Sequence, residues 1–190
     1  MRLFIALPLP EEIRKYVGEI IDELRPSGQG VRWGKPENIH LTVRFLGETD
    51  EKTVPKLVSL LDKVAAEFPA SQLQLGRLGA FPNFRRPNVL WVGLEGDSSE
   101  LTKMARQVEL GVRTLRFEKE KKGFRPHLTL GRVKRGRDVR PVVAAMETWA
   151  VAPRNVIFDQ LVLFKSDLTP QGAVYTRLHT ADLQVERFGG

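Results

Sequence analysis

The chain has 190 residues, 42% hydrophobic and 28% charged, which excludes a disordered or fibrous protein and allows one compact domain or two small lobes. It has no cysteine, so disulfides, thiolate catalysis and cysteine-ligated zinc are excluded. A formal net charge of +7 favours polyanionic partners such as nucleic acid, nucleotides or an anionic membrane, although a merely solvated basic surface carries the same charge.

In chain order, "RLFIAL" (2–7) is a short apolar run closed by prolines and predicts a buried first strand; it is too short for a signal sequence or a membrane span. Ile13, Val17, Ile20, Ile21 and Leu24 then make one helical stripe that stops before "RPSGQG". "VRW" and "IHLTVRFL" (39–46) read as strands. A second helix opens near Asp50, with Pro55 in its first turn and Val54, Leu57, Leu60, Leu61 and Val64 on one face. "LQLGRLGAF" (73–81) and "NVLWVGL" (88–94) predict strands around the turn "PNFRRP". Leu101, Met104, Val108 and Val112 mark a third helix. "HLTLGRV" (127–133) is strand-like. Asp138 opens a fourth helix with Val139, Val142, Val143 and Met146, and "NVIFDQLVLF" (155–164) and "AVYTRLHT" (173–180) predict the closing strands.

The two halves of this order match. His40 and His127, two of only three histidines, each precede Leu-Thr-aliphatic. Each also follows a strand and then a helix at the same spacing. Agreement of motif, spacing and element order predicts an internal duplication and a single bilobal domain over 1–190, with motifs at 40–43 and 127–130. The expected fold class is α+β: two pseudo-symmetric lobes, each an antiparallel sheet with helices outside, and a cleft between them.

On a strand, residues i and i+2 share a face. His40 and Thr42 therefore face one way and Leu41 and Val43 the other; His127 and Thr129 oppose Leu128 and Leu130 likewise. Brought across a cleft, two imidazoles and two hydroxyls suit phosphodiester chemistry. One imidazole takes a proton from the nucleophile, the other gives one to the leaving oxygen, and the hydroxyls donate to the non-bridging oxygens. Two histidines are too few for a metal site, and neither motif carries an acid at same-face spacing, so no metal and no cofactor are expected.

The paired "HLTV" and "HLTL", with "MRLFIAL" and "HLTVRFLGE" around them, resemble the two-histidine (2H) phosphoesterase superfamily, in its LigT-like RNA 2′,3′-cyclic phosphodiesterase and 2′–5′ RNA ligase branch. The resemblance implies opening of RNA 2′,3′-cyclic phosphate ends to 2′-phosphates without a metal, with reversible 2′–5′ joining, by a cytoplasmic monomer outside any membrane. RNA with such an end, tRNA fragments among them, is the implied partner. It assigns catalysis to His40 and His127 and phosphate binding to Thr42, Thr129 and Arg132. The sequence does not settle which histidine is the acid. The working expectation is that His40 protonates the leaving 3′-oxygen, while His127, between Arg125 and Arg132, activates water. Strand parity puts Arg132 on the face opposite His127 unless a bulge near Gly131 re-aims it. The alternatives are a 2H enzyme acting on a small cyclic phosphate or nucleotide, and a non-catalytic RNA-binding module.

Phe84, Arg85 and Arg125 are candidate RNA contacts, weighed against a packed hairpin turn and a solvated loop. Parity places Arg44 on the His40 face, near phosphate or in an ion pair. His179 is expected as a surface strand residue, and Trp33 as core or cleft lining.

Overall fold

A computed structural model describes residues 1–170 and 172–185. Among them the order is β1 (Arg2–Pro8), α1 (Glu11–Leu24), β2 (Val31–Trp33), β3 (His40–Glu48), α2 (Val54–Ala65), β4 (Ser71–Phe81), β5 (Val89–Glu95), α3 (Ser99–Thr114), β6 (His127–Val133), α4 (Arg140–Thr148), β7 (Asn155–Phe158), β8 (Gln160–Thr169) and β9 (Gly172–Asp182). No described helix is long and apolar enough to cross a membrane.

The α+β class stands, but the strands make one continuous antiparallel sheet in the order β7-β4-β5-β6-β3-β1-β8-β9, with β2 also paired to β6. Its two halves meet through the single pair Leu41–Leu128, between β3 and β6. These residues are 87 positions apart, the same offset that separates β1 from β5 and His40 from His127. The pseudo-two-fold relation therefore maps this junction onto itself.

The halves of the sheet are not the halves of the sequence. β4, which closes the first sequence copy, pairs with β5 of the second; β8, from the second copy, pairs with β1 of the first. For the same reason 155–164 is not one strand. It breaks at Asp159 into β7, beside β4, and β8, beside β1.

Alternation along β1 explains the layering. Leu3, Ile5 and Leu7 are at most 1% exposed and join the main core beneath the helices, whereas Phe4 and Ala6 join a separate small cluster with Val162, Phe164 and Tyr175 on the other face. α2 packs on α3, β8 and β9, and α1 packs beside α4. The stripes that made these helices legible (Val17, Ile20, Ile21 and Leu24; Leu101, Met104, Val108 and Val112) are buried, each full-size side chain contributing about 1.5–3 kcal/mol. Asp50 and Asp138 act at equivalent points: their carboxylates accept from the backbone N–H of Lys52 and Arg140, so α4 itself starts two residues after Asp138.

Candidate active site

His40 and His127 are the first residues of β3 and β6. Each ring is held by the same local device, with Nδ1 bonding the carbonyl two residues back: Asn38 O at 2.7 Å and Arg125 O at 2.6 Å. A carbonyl only accepts, so each Nδ1 donates and each Nε2 is left free for chemistry. Asn38 also donates from Nδ2 to Ala173 O at 2.8 Å, which ties the His40 anchor to β9.

Leu41 stands opposite Leu128 on the helix side. Carrying that antiparallel register one residue either way sets His40 opposite Thr129 and Thr42 opposite His127 on the other face. The junction thus gathers two imidazoles and two hydroxyls on one patch of sheet. Neither threonine hydroxyl has a hydrogen-bond partner among the described residues.

Arg132 reaches the same face through a bulge. Trp91 pairs with Thr129 but Leu90 pairs with Gly131, so Leu130 is an extra residue in β6 and parity reverses beyond it. Arg132 then pairs with Val89 on the side of Trp91 and Thr129. Its charge acts on both His127 and Tyr175. The first copy has a bulge at the equivalent Val43, since Ala6 pairs with Thr42 but Ile5 with Arg44. That bulge turns Arg44 away from His40, contrary to simple parity. Arg44 is 8% exposed and bonds Glu109 of α3 at 2.6 Å, with Glu120 at 3.7 Å. Phe45, the counterpart of Arg132, is 52% exposed on the site face, so the two copies differ here.

Aromatic cradles hold both imidazoles. His40 stacks on Phe4 at 4.8 Å between ring centroids, with Tyr175 edge-on at 5.6 Å. His127 meets Phe81 edge-on at 4.9 Å, with Trp91 at 6.4 Å. Phe4 and Trp91 are also 87 apart, a signal present in the sequence. The indole of Trp91 lies over Gly79, where a Cβ would come within 2.2 Å of it.

These surroundings set the charges. Burial pushes His40 down to about 4, against the opposing effect of its bond to Asn38. Burial also lowers His127, opposed by the Arg125 carbonyl and reinforced by the Arg132 charge. Both imidazoles of the free protein are thereby biased towards the neutral form. Among the described residues no three His, Asp or Glu side chains are grouped as metal ligands.

The expected RNA contacts separate. Phe84 is partly buried and packs against the main core. Arg85 and Arg86 are exposed and, with Asn83, line an open concavity of about 240 Å³; their backbone N–H groups donate to Asn83 Oδ1. Arg125 presents an exposed side chain beside His127. Trp33 packs against the core and donates Nε1 to Gly28 O. His179 bonds Asp62 of α2 at 2.6 Å on the helix side.

The family model described as LigT like Phosphoesterase matches the chain twice in tandem, over residues 7–91 and 92–175. The RNA 2′,3′-cyclic phosphodiesterase of Thermotoga maritima is 33% identical, over 97% of this chain and 96% of its own. The protein of the same name from Archaeoglobus fulgidus is 36% identical, over 94% of this chain and 98% of its own. A solved structure from Thermus thermophilus superposes with a TM-score of 0.81 at 30% identity, covering 98% of this chain and 100% of that one. The structure of E. coli LigT with 3′-AMP has the same fold, with a TM-score of 0.76 at 24% identity, covering 96% and 97%.

Proposed function

The chain belongs to the LigT-like phosphoesterases, and on that premise we propose that it opens 2′,3′-cyclic phosphate ends of RNA to 2′-phosphates without a metal. The observation that supports this reading is the antiparallel junction at Leu41–Leu128, whose register, carried one residue either way, puts His40 opposite Thr129 and His127 opposite Thr42.

The cyclic phosphate lies between the imidazoles. Thr42, Thr129 and Arg132 donate to its non-bridging oxygens, where the charge of the pentavalent transition state builds. His127 is the base. Burial and the adjacent Arg132 charge keep it neutral, and its free Nε2 takes a proton from water as the water oxygen bonds to phosphorus. The bond from phosphorus to the 3′-oxygen breaks, and His40 Nε2 delivers a proton to that oxygen. His40 is neutral in the free protein at pH 7, so its proton is bound as the anionic phosphate docks. With a 5′-hydroxyl in place of water, the same groups join a 2′–5′ linkage: His127 takes the hydroxyl proton as its oxygen bonds to phosphorus, and His40 protonates the departing 3′-oxygen. Both histidines come from one chain, so a single bilobal domain working as a monomer is complete. A cytoplasmic setting and RNA fragments, including those of tRNA, belong to this proposal, with Arg85 and Arg125 as basic flanks for the strand.

The test is an RNA oligonucleotide ending in 2′,3′-cyclic phosphate, incubated with the protein in EDTA. The expected product is the 2′-phosphate, absent with His40→Ala and His127→Ala. Activity that returns only with added metal would overturn the mechanism. Turnover of small cyclic phosphates alone, or tight RNA binding without turnover, would overturn the substrate assignment.

A further inference from the structure

Beside His40, on the side away from the Leu41–Leu128 junction, lies a second cavity of about 140 Å³. Its walls include Arg14 of α1, Glu37, His40, Phe164, Tyr175 and Arg177. Liquid water occupies about 30 Å³ per molecule, so this is room for several waters or one compact anionic group. The Arg14 Nε is buried and has no hydrogen-bond acceptor among the described residues. A buried guanidinium donor left without an acceptor is unusual and calls for one. Arg177 stands across the cavity with its guanidinium 5.8 Å over the Phe164 ring, held on one side by Gln160 Oε1 at 3.3 Å. Two cations face one acid, Glu37, which is exposed at the rim.

We propose that this cavity is a second phosphate subsite, taking the phosphate on the 5′-oxygen of the nucleotide whose cyclic phosphate reacts at His40. The inference rests on the phosphodiesterase reading and adds to it. His40 forms part of both the reacting site and the cavity wall, so a group one ribose away from the reacting phosphorus enters without crossing the sheet. The lining favours a phosphate over a base. Phe164 stacks on Phe4 at 5.1 Å and Tyr175 is edge-on to both Phe4 and His40, so the aromatic faces are already engaged, while Arg14 Nε has no acceptor and Arg177 donates to Gln160 alone among the described residues. Guanidinium forks match phosphate oxygens in charge and geometry. The site then recognises a nucleotide within a strand, through its backbone and without reading the base.

The subsite is tested by equilibrium binding, which needs no turnover. A nucleoside 2′,5′-bisphosphate and the matching nucleoside 2′-phosphate are titrated into the wild-type protein by calorimetry. The bisphosphate is expected to bind about tenfold or more tightly. Arg14→Gln and Arg177→Gln should each shrink that ratio, and the double variant should bring it close to one. Arg106→Gln, which removes an exposed charge on α3, should leave the ratio intact. A wild-type ratio near one, or a ratio that survives in the double variant, overturns the subsite. Turnover of nucleoside 2′,3′-cyclic phosphates with and without a 5′-phosphate separates the two readings. Hydrolysis of both at equal kcat/KM removes the subsite alone; no hydrolysis with the binding ratio intact removes the phosphodiesterase reading and leaves the subsite standing.

Discussion

Docking a phosphate beside His40 should raise its pKa by several units. The free imidazole sits at about 4, depressed by burial against Phe4 and Tyr175. A unit negative charge about 4 Å from Nε2, at an effective dielectric of about 20, favours the imidazolium by about 4 kcal/mol. At 1.36 kcal/mol per unit this is about 3 units, which brings His40 to about 7 in the complex. The substrate would thus create its own general acid near neutral pH. The assay is an NMR titration of the His40 Cε1 proton, free and saturated with a nucleoside 2′-phosphate. The alkaline limb of kcat should correspondingly lie above that of kcat/KM, since the first reports the complex and the second the free enzyme. A His40 pKa that moves by less than about one unit on saturation would refute the reasoning and remove His40 as the acid. Phe4→Ala should raise the free value towards 6.5 by admitting water.

The same depression makes stability depend on pH. The unfolded chain binds a proton at His40 near 6.5 and the folded one only near 4, so stability rises with pH and about 3 kcal/mol is lost as pH falls between those values. Denaturant midpoints at pH 7 and pH 4 should therefore differ less in His40→Gln than in the wild type, and equal differences would assign the acid loss elsewhere. Glu109→Gln removes the nearest carboxylate of the buried Arg44 while Glu120 remains at 3.7 Å, which should cost about 1 kcal/mol and lower Tm by roughly 2–4 °C; an unchanged thermal melt would contradict a stabilising pair. Arg132→Ala should lower kcat by about 10²-fold or more, as loss of a transition-state donor does, with Arg132→Lys intermediate; an effect confined to KM would make Arg132 a ground-state contact only.

The helices and the two histidine strands were legible because their apolar periods are strong and a twofold repeat doubles the signal. The sides taken by Arg44 and Arg132 were not. Val43 and Leu130 are ordinary strand residues by type, and nothing in a period-two pattern announces that each is an unpaired extra residue. Parity therefore put Arg44 on the wrong face and left Arg132 dependent on a bulge that could only be conjectured. The destinations of β4 and β8 escaped for another reason. Both are apolar strands that fit either half of the sheet, and the choice is made by long-range pairing with β5 and β1. The aromatic cradle is partly legible in the sequence, where Phe4 and Trp91 share the 87-residue offset of the two histidines.

The exchange of β4 and β8 has a consequence for cooperativity. A chain cut in the turn between β4 and β5 would give one piece with β1 bare of β8 and another with β5 bare of β4. Each fragment would lack the strand that shields its own edge, so neither is an autonomous folding unit. The two sequence copies are therefore held by a clasp: parting them would mean unzipping the β4–β5 ladder in one half of the sheet and the β1–β8 ladder in the other. The two imidazoles, on β3 and β6, meet across the centre at Leu41–Leu128. Such a clasp is what a strand-swapped homodimer becomes when its two copies are fused end to end.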